Sequence, residues 1–122
     1  MIRVSLGEGF IFDILSVLDV KLTKFPANKR AKHNYDFFVS EIEREIGVKK
    51  LNEVYASPEY KKLFAINSAL FDLIDENHRR KDRGDPIEDP DPMNFERAQL
   101  KHALQTKFFP DSDFVEQKLG YK

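Results

Sequence analysis

Four groups of side chains in this 122-residue chain have the types and spacing to do chemistry. Lys29, Arg30, Lys32 and His33 open a stretch with helical periodicity. Positive charge in a first turn opposes the helix dipole, so local stability does not account for it. A bound sulfate or phosphate would, because free N–H groups and basic side chains converge there; acidic residues elsewhere or simple exposure to solvent would account for it as well. A second group, Asp72, Asp75 and Glu76, could hold magnesium for phosphate chemistry. Glu41, Glu43 and Glu45 on a neighbouring stretch lack the E-x-x-E spacing of the all-helical nucleotide pyrophosphatases, and the acids can instead pair with Arg79, Arg80 and Lys81 along one helix. The third is Asp75-Glu-Asn-His78, a carboxylate and an imidazole three residues apart. Di-iron proteins use two such elements plus further carboxylates. Here there is one copy, and Gln99 stands at the corresponding distance before His102, so no metal is expected.

Asn67 and Arg97 form the fourth group, each a polar residue inside an apolar stripe. Projection at about 100° per residue places Asn67 among Leu63, Leu70 and Ile74, and Arg97 beside Met93, Leu100 and Leu104. A buried polar group without a partner costs about 1–3 kcal/mol, so both should be satisfied. They would either fix helix register or border a small polar pocket with Lys101, its edge reached by Asp72 or Asp75.

Four helices must position these residues. Residues 7–25 carry a main stripe of Ile11, Ile14, Leu15, Leu18, Leu22 and Phe25, widened by Phe10, Val17 and Val20. Ser5 with Glu8 resembles a capping box before it. Residues 28–46 turn Ala31, Tyr35, Phe38, Ile42 and Ile46 inward and stop at Gly47, and residues 48–56 read as a short helical turn. The 57–84 stretch is the best marked. Ser57 caps it, Pro58 suits its first position, and Gly84 can take the left-handed conformation that ends it. Leu63, Phe64, Leu70, Phe71 and Ile74 supply its apolar face. Residues 76–83 carry no large apolar side chain, so this end projects from the core or meets a partner. The basic run 78–83 suits a helix C-terminus. After the stiff acidic loop 85–92, Asp91 caps a last helix over 92–108. Residues 2–6 read as extended, and a tail from Pro110 carries Phe114, Val115 and Leu119, which would dock it.

Composition narrows the classes. Hydrophobic residues at 41% argue for a packed core, and no apolar run approaches the roughly 20 residues that span a bilayer. The start lacks the basic leader of a signal peptide, so a cytoplasmic location is expected. Without cysteine there is no thiolate metal site and no cysteine nucleophile. A net charge of −1 gives no global attraction to nucleic acid or anionic membrane. Serine-nucleophile motifs and phosphate-cradling glycine loops are absent.

Val4-Ser-Leu-Gly-Glu8, the Asp13–Lys21 run, Asn67-Ser-Ala-Leu-Phe-Asp72, Arg97-Ala-Gln-Leu-Lys101 and the ending Val115–Tyr121 occur in that order. Together they resemble a family of small uncharacterised bacterial proteins, a domain of unknown function. The resemblance implies an all-helical fold and brings no activity. Ile74 and His78 depart from it, standing where charged residues are expected.

The sequence therefore predicts one all-α domain over 1–122, an antiparallel helical hairpin or bundle of about four helices with extended terminal segments. Its expected role is a non-catalytic interaction or assembly module that self-associates or meets a protein partner, without cofactor, nucleic acid or membrane. The breadth of the apolar surface on residues 10–20 motivates the self-association. The alternative is an enzyme or binding protein for a phosphorylated or carbohydrate-derived small molecule, using Asp72 and Asp75 with Arg97 and Lys101.

Overall fold

Helical periodicity governs every element of the computed structural model, which describes residues 7–111. Five helices follow one another: α1 (Glu8–Lys24), α2 (Lys29–Ile46), α3 (Val48–Tyr55), α4 (Pro58–Arg83) and α5 (Asp91–Phe108). The expected short turn at 48–56 is thus a helix of its own, so there are five rather than about four. The extended start over residues 2–6, Ser5 of the proposed capping box and the tail beyond residue 111 lie outside the described residues.

The punctuation read from the sequence is largely borne out. Ser57 Oγ accepts the Tyr60 N–H at 3.1 Å, Pro58 opens α4, and Gly84 ends it in the left-handed conformation at φ 76°. Asn28 caps α2 through the Ala31 N–H. Gly47 takes φ 86° between α2 and α3, a conformation a side chain would strain. One cap differs. Asp91 is already helical, and its N–H is accepted by Asp89 instead.

α1 is the central element, packed against α2, α4 and α5. Phe12 and Leu15 of α1 meet Ile42, Leu51, Val54, Tyr60, Leu63 and Leu104, so all five helices contribute to one core. Each fully buried side chain of this size contributes about 1.5–3 kcal/mol of hydrophobic stabilisation. Three neighbours around α1 also explain its breadth of apolar sequence. The predicted stripe is shifted: Phe12, Leu15 and Val20 are buried, Ile11, Ile14, Leu18 and Leu22 only partly, and Phe25 is half exposed against the edge of Phe71. The buried face of α4 is likewise rotated from expectation. It carries Tyr60, Leu63, Asn67, Leu70 and Leu73, while Ile74 faces outward.

α1 and α5 run in opposite directions and lie close. Gly9 meets Gln105, and Asp13 meets Arg97. A Cβ on Gly9 would stand 2.5 Å from the Lys101 carbonyl oxygen, so only glycine permits this approach. At the far end, the Asn77 carboxamide holds both the N–H and the C=O of Glu88, at 3.0 and 2.8 Å. The acidic loop is thereby folded back along α4, while most side chains of residues 78–83 stay exposed. None of the described helices is long and apolar enough to cross a membrane.

Candidate functional site

Asn67 and Arg97 are brought together by a residue the sequence reading left out of its site, Asp13 of α1. Its carboxylate is 2% exposed and accepts from three donors. Arg97 makes a two-pronged contact, Nε to Oδ1 at 2.9 Å and Nη2 to Oδ2 at 2.6 Å. Asn67 Nδ2 donates to Oδ1 at 2.9 Å and to Ser16 Oγ at 2.6 Å, while the Ser16 hydroxyl donates to the Asp13 carbonyl. One α1 residue thus fastens α4 and α5 together. The signal was present: Asp13 and Ser16 interrupt an apolar run one helical turn apart, and an arginine within an apolar stripe requires an acid. Among the described residues no buried side-chain nitrogen or oxygen lacks a partner.

Outside this cluster a groove of about 560 Å³ runs between α1 and α5. Phe10, Ile14, Val17 and Leu18 form its apolar wall, Lys21 and Lys101 are cations of its lining, and the Asp13–Arg97 pair lines it as well. Lys101 is largely buried, its ammonium 4.6 Å from the Phe10 ring centroid, a cation–π contact. Nearby, Gln105 Nε2 donates to Glu8 and its Oε1 accepts the Gly9 N–H, both at 2.7 Å.

Of the proposed pocket residues, Asn67, Arg97 and Lys101 stand at or beside this groove, whereas Asp72 and Asp75 do not. Asp72 is exposed and paired with Lys24 at 2.6 Å. Asp75 binds Arg79 at 2.8 Å on the solvent side of α4. Glu76 joins Arg79 and Arg83 there, and these two guanidiniums hold its carboxyl below the usual range. The acidic group of α4 is therefore neutralised, Asp72 by Lys24 of α1 and the other two by arginines of α4 itself. No cluster of three metal-ligating side chains occurs among the described residues.

At the start of α2, Lys29, Arg30, Lys32 and His33 are all exposed. Lys32 pairs with Asp36 one turn on, at 2.7 Å, and the Asn28 side chain already takes the Ala31 N–H. Part of what would attract an anion is engaged by the helix itself.

A second polar cluster escaped the sequence reading. Tyr55 and Tyr60 both direct hydroxyls at Asp19 of α1, at 2.8 and 3.0 Å, and Tyr35 donates to Tyr55 at 3.2 Å. Burial raises Tyr55 and Tyr60 above the ordinary tyrosine range, and the neighbouring Asp19 reinforces this. Contacts among residues so distant in sequence leave no periodic signal.

No protein family, no curated protein and no solved structure matches the chain.

Proposed function

We propose that the protein is a non-catalytic interaction module that pairs with a second copy of itself across the α1–α5 groove. In this reading α1, α2, α4 and α5 form an antiparallel bundle, with α3 as a brace. The observation that carries it is the groove itself, with an apolar wall from α1 and the cations Lys21, Arg97 and Lys101 along its border. Apolar wall and charged border together favour a partner segment with the complementary pattern. The chain carries one: the 85–92 loop presents Glu88, Asp89 and Asp91 beside an exposed Ile87. A two-fold pair would seat each loop in the groove of the other copy.

Binding is favoured over catalysis because the carboxylates are committed. Asp13 is spent on Arg97 and Asn67, and Asp72 and Asp75 are paired elsewhere. Light scattering at micromolar concentration should report a species larger than the 14.3 kDa chain. Val17→Glu, which places a charge on the apolar wall, should return it to monomer. A wild-type chain that stays monomeric at every concentration would end this reading.

A second reading is favoured by Lys21 and Lys101, which line the groove beside the Asp13–Arg97 pair: the groove holds an anionic, phosphorylated small molecule. Titration with inorganic phosphate, followed by amide shifts, should then move residues 94–101. Movement confined to 28–33 would assign the anion to the start of α2 instead.

A further inference from the structure

Asp19, partly buried on α1, is the centre of a cluster of tyrosine hydroxyls. Two tyrosine hydroxyls converge on Oδ2, and Oδ1 carries no hydrogen bond among the described residues. No lysine, arginine or histidine pairs with this carboxylate there, although Asp13, Asp36, Glu59, Asp72, Asp75 and Glu76 each have a basic partner. Neutral hydroxyls satisfy hydrogen bonding but leave a charge uncompensated. The rings of Tyr55 and Tyr60 are stacked, 4.8 Å between centroids and 27° between planes, beside that carboxylate. A cavity of about 470 Å³ opens next to them, lined also by Thr23, Lys61 and Phe64. The Lys61 side chain is exposed, and its ammonium makes no ion pair with Asp19. An open carboxylate oxygen, aromatic rings and a cavity are the parts from which proteins build cation sites.

We propose that Asp19, Tyr55 and Tyr60 form a binding site for an alkylammonium cation, either a free amine or the side chain of a lysine on a partner chain. The ammonium would donate to Asp19 Oδ1, and its alkyl stem would lie against the tyrosine rings and Phe64. Tyr35 supports the site from α2, because its donation to Tyr55 orients that hydroxyl toward the carboxylate. The site shares no lining residue with the α1–α5 groove, so the two proposals stand or fall separately.

Titration with n-butylammonium chloride, against sodium chloride at equal ionic strength, tests it. The chain has no tryptophan, and three of its four tyrosines, Tyr35, Tyr55 and Tyr60, belong to this cluster, so tyrosine emission reports chiefly on it. A saturable change is expected with the amine and not with sodium, and Asp19→Asn should weaken it at least tenfold. No change beyond that of sodium, or unaltered binding by a folded Asp19→Asn, overturns the proposal. Should that variant fail to fold, amide shifts of the wild-type protein decide. Shifts at residues 19, 23, 55, 60 and 64 support the site, and equal shifts at Asp72 and Asp75 show unspecific ion pairing and overturn it. An added arm with Nα-acetyl-lysine N-methylamide separates the sources: tighter binding than n-butylammonium indicates a lysine on a partner chain, equal binding a free amine.

Discussion

Asp13 and Asp19 stand on the same helix, yet their surroundings are unlike. Asp13 turns toward α4 and α5, where a guanidinium grips both of its oxygens and a carboxamide adds a third contact. Asp19 turns toward α3 and the start of α4, where it meets only hydroxyls, and its second oxygen is left open. The first arrangement is closed: charge, geometry and hydrogen bonds are all satisfied within the chain. The second satisfies hydrogen bonding on one oxygen and leaves charge and a cavity. A buried acid with a basic partner holds helices together, while one without such a partner retains capacity for a ligand. The comparison can be broken at either end.

The largest effect is expected at the closed cluster. Arg97→Met removes the guanidinium and strands a carboxylate that is 2% exposed. Breaking a fully buried pair from one side costs about 3–5 kcal/mol, an upper bound here because Arg97 is partly exposed and Asn67 still donates to Asp13. Urea denaturation of the variant should show a loss approaching that size. A loss within experimental error of zero would mean that Asp13 reaches water readily, and that the contrast between the two aspartates is overdrawn.

Asn67→Ala should cost less, about 1–3 kcal/mol, since it abandons Asp13 Oδ1 and Ser16 Oγ but leaves the ion pair intact. Thermal melting of this variant beside Arg97→Met gives the ranking. If Asn67→Ala proved the more damaging, the carboxamide rather than the guanidinium would be the main fastener.

These two residues also show what could be read from the chain alone. Asn67 and Arg97 were visible because each breaks an apolar stripe, and a broken stripe implies a buried partner. The existence and most boundaries of four helices were visible for a similar reason: Ser57, Pro58, Gly47 and Gly84 act locally, through caps and left-handed turns. What depends on distant neighbours was not visible. Asp13 and Ser16 interrupt an apolar run, but α1 is apolar on several sides, and only the placement of α2, α4 and α5 decides that their side is innermost. The same cause shifted the buried face of α4 from Ile74 to Leu73. Asp72 and Asp75 were candidates for a pocket by helical projection, but Lys24 and Arg79, one from another helix, take them. The meeting of Tyr35, Tyr55 and Tyr60 at Asp19 joins four helices, and no spacing along the sequence encodes it.

At the open cluster a deletion should be milder. Tyr60→Phe removes one hydroxyl donor and keeps the ring, so the stack on Tyr55 and the edge contact with Phe12 persist. A single hydrogen bond of this kind contributes about 0.5–1.5 kcal/mol. Urea denaturation should place the loss well below that of Arg97→Met. An equal loss would show that Asp19 is as dependent on its hydroxyls as Asp13 is on its guanidinium.

The last effect vanishes at neutral pH and emerges only in alkali. Tyr55 and Tyr60 titrate above the ordinary value of 10.0, first because burial disfavours the phenolate and then because Asp19 lies beside them. Burial raises Tyr35 as well. Below pH 10 these hydroxyls are protonated in both folded and unfolded chains, and their contribution to stability is fully present. Above it the unfolded chain releases protons that the folded chain retains, so stability falls as pH rises toward the folded values. Absorbance at 295 nm should accordingly show these tyrosines ionising together with loss of helical circular dichroism, not before it. Asp19→Asn removes the nearby negative charge but not the burial, so in a folded variant the ionisation should move to lower pH without reaching the ordinary value. Ionisation of all tyrosines near pH 10 in an intact fold would mean that the hydroxyls are open to water, and Asp19 would then be an ordinary surface carboxylate.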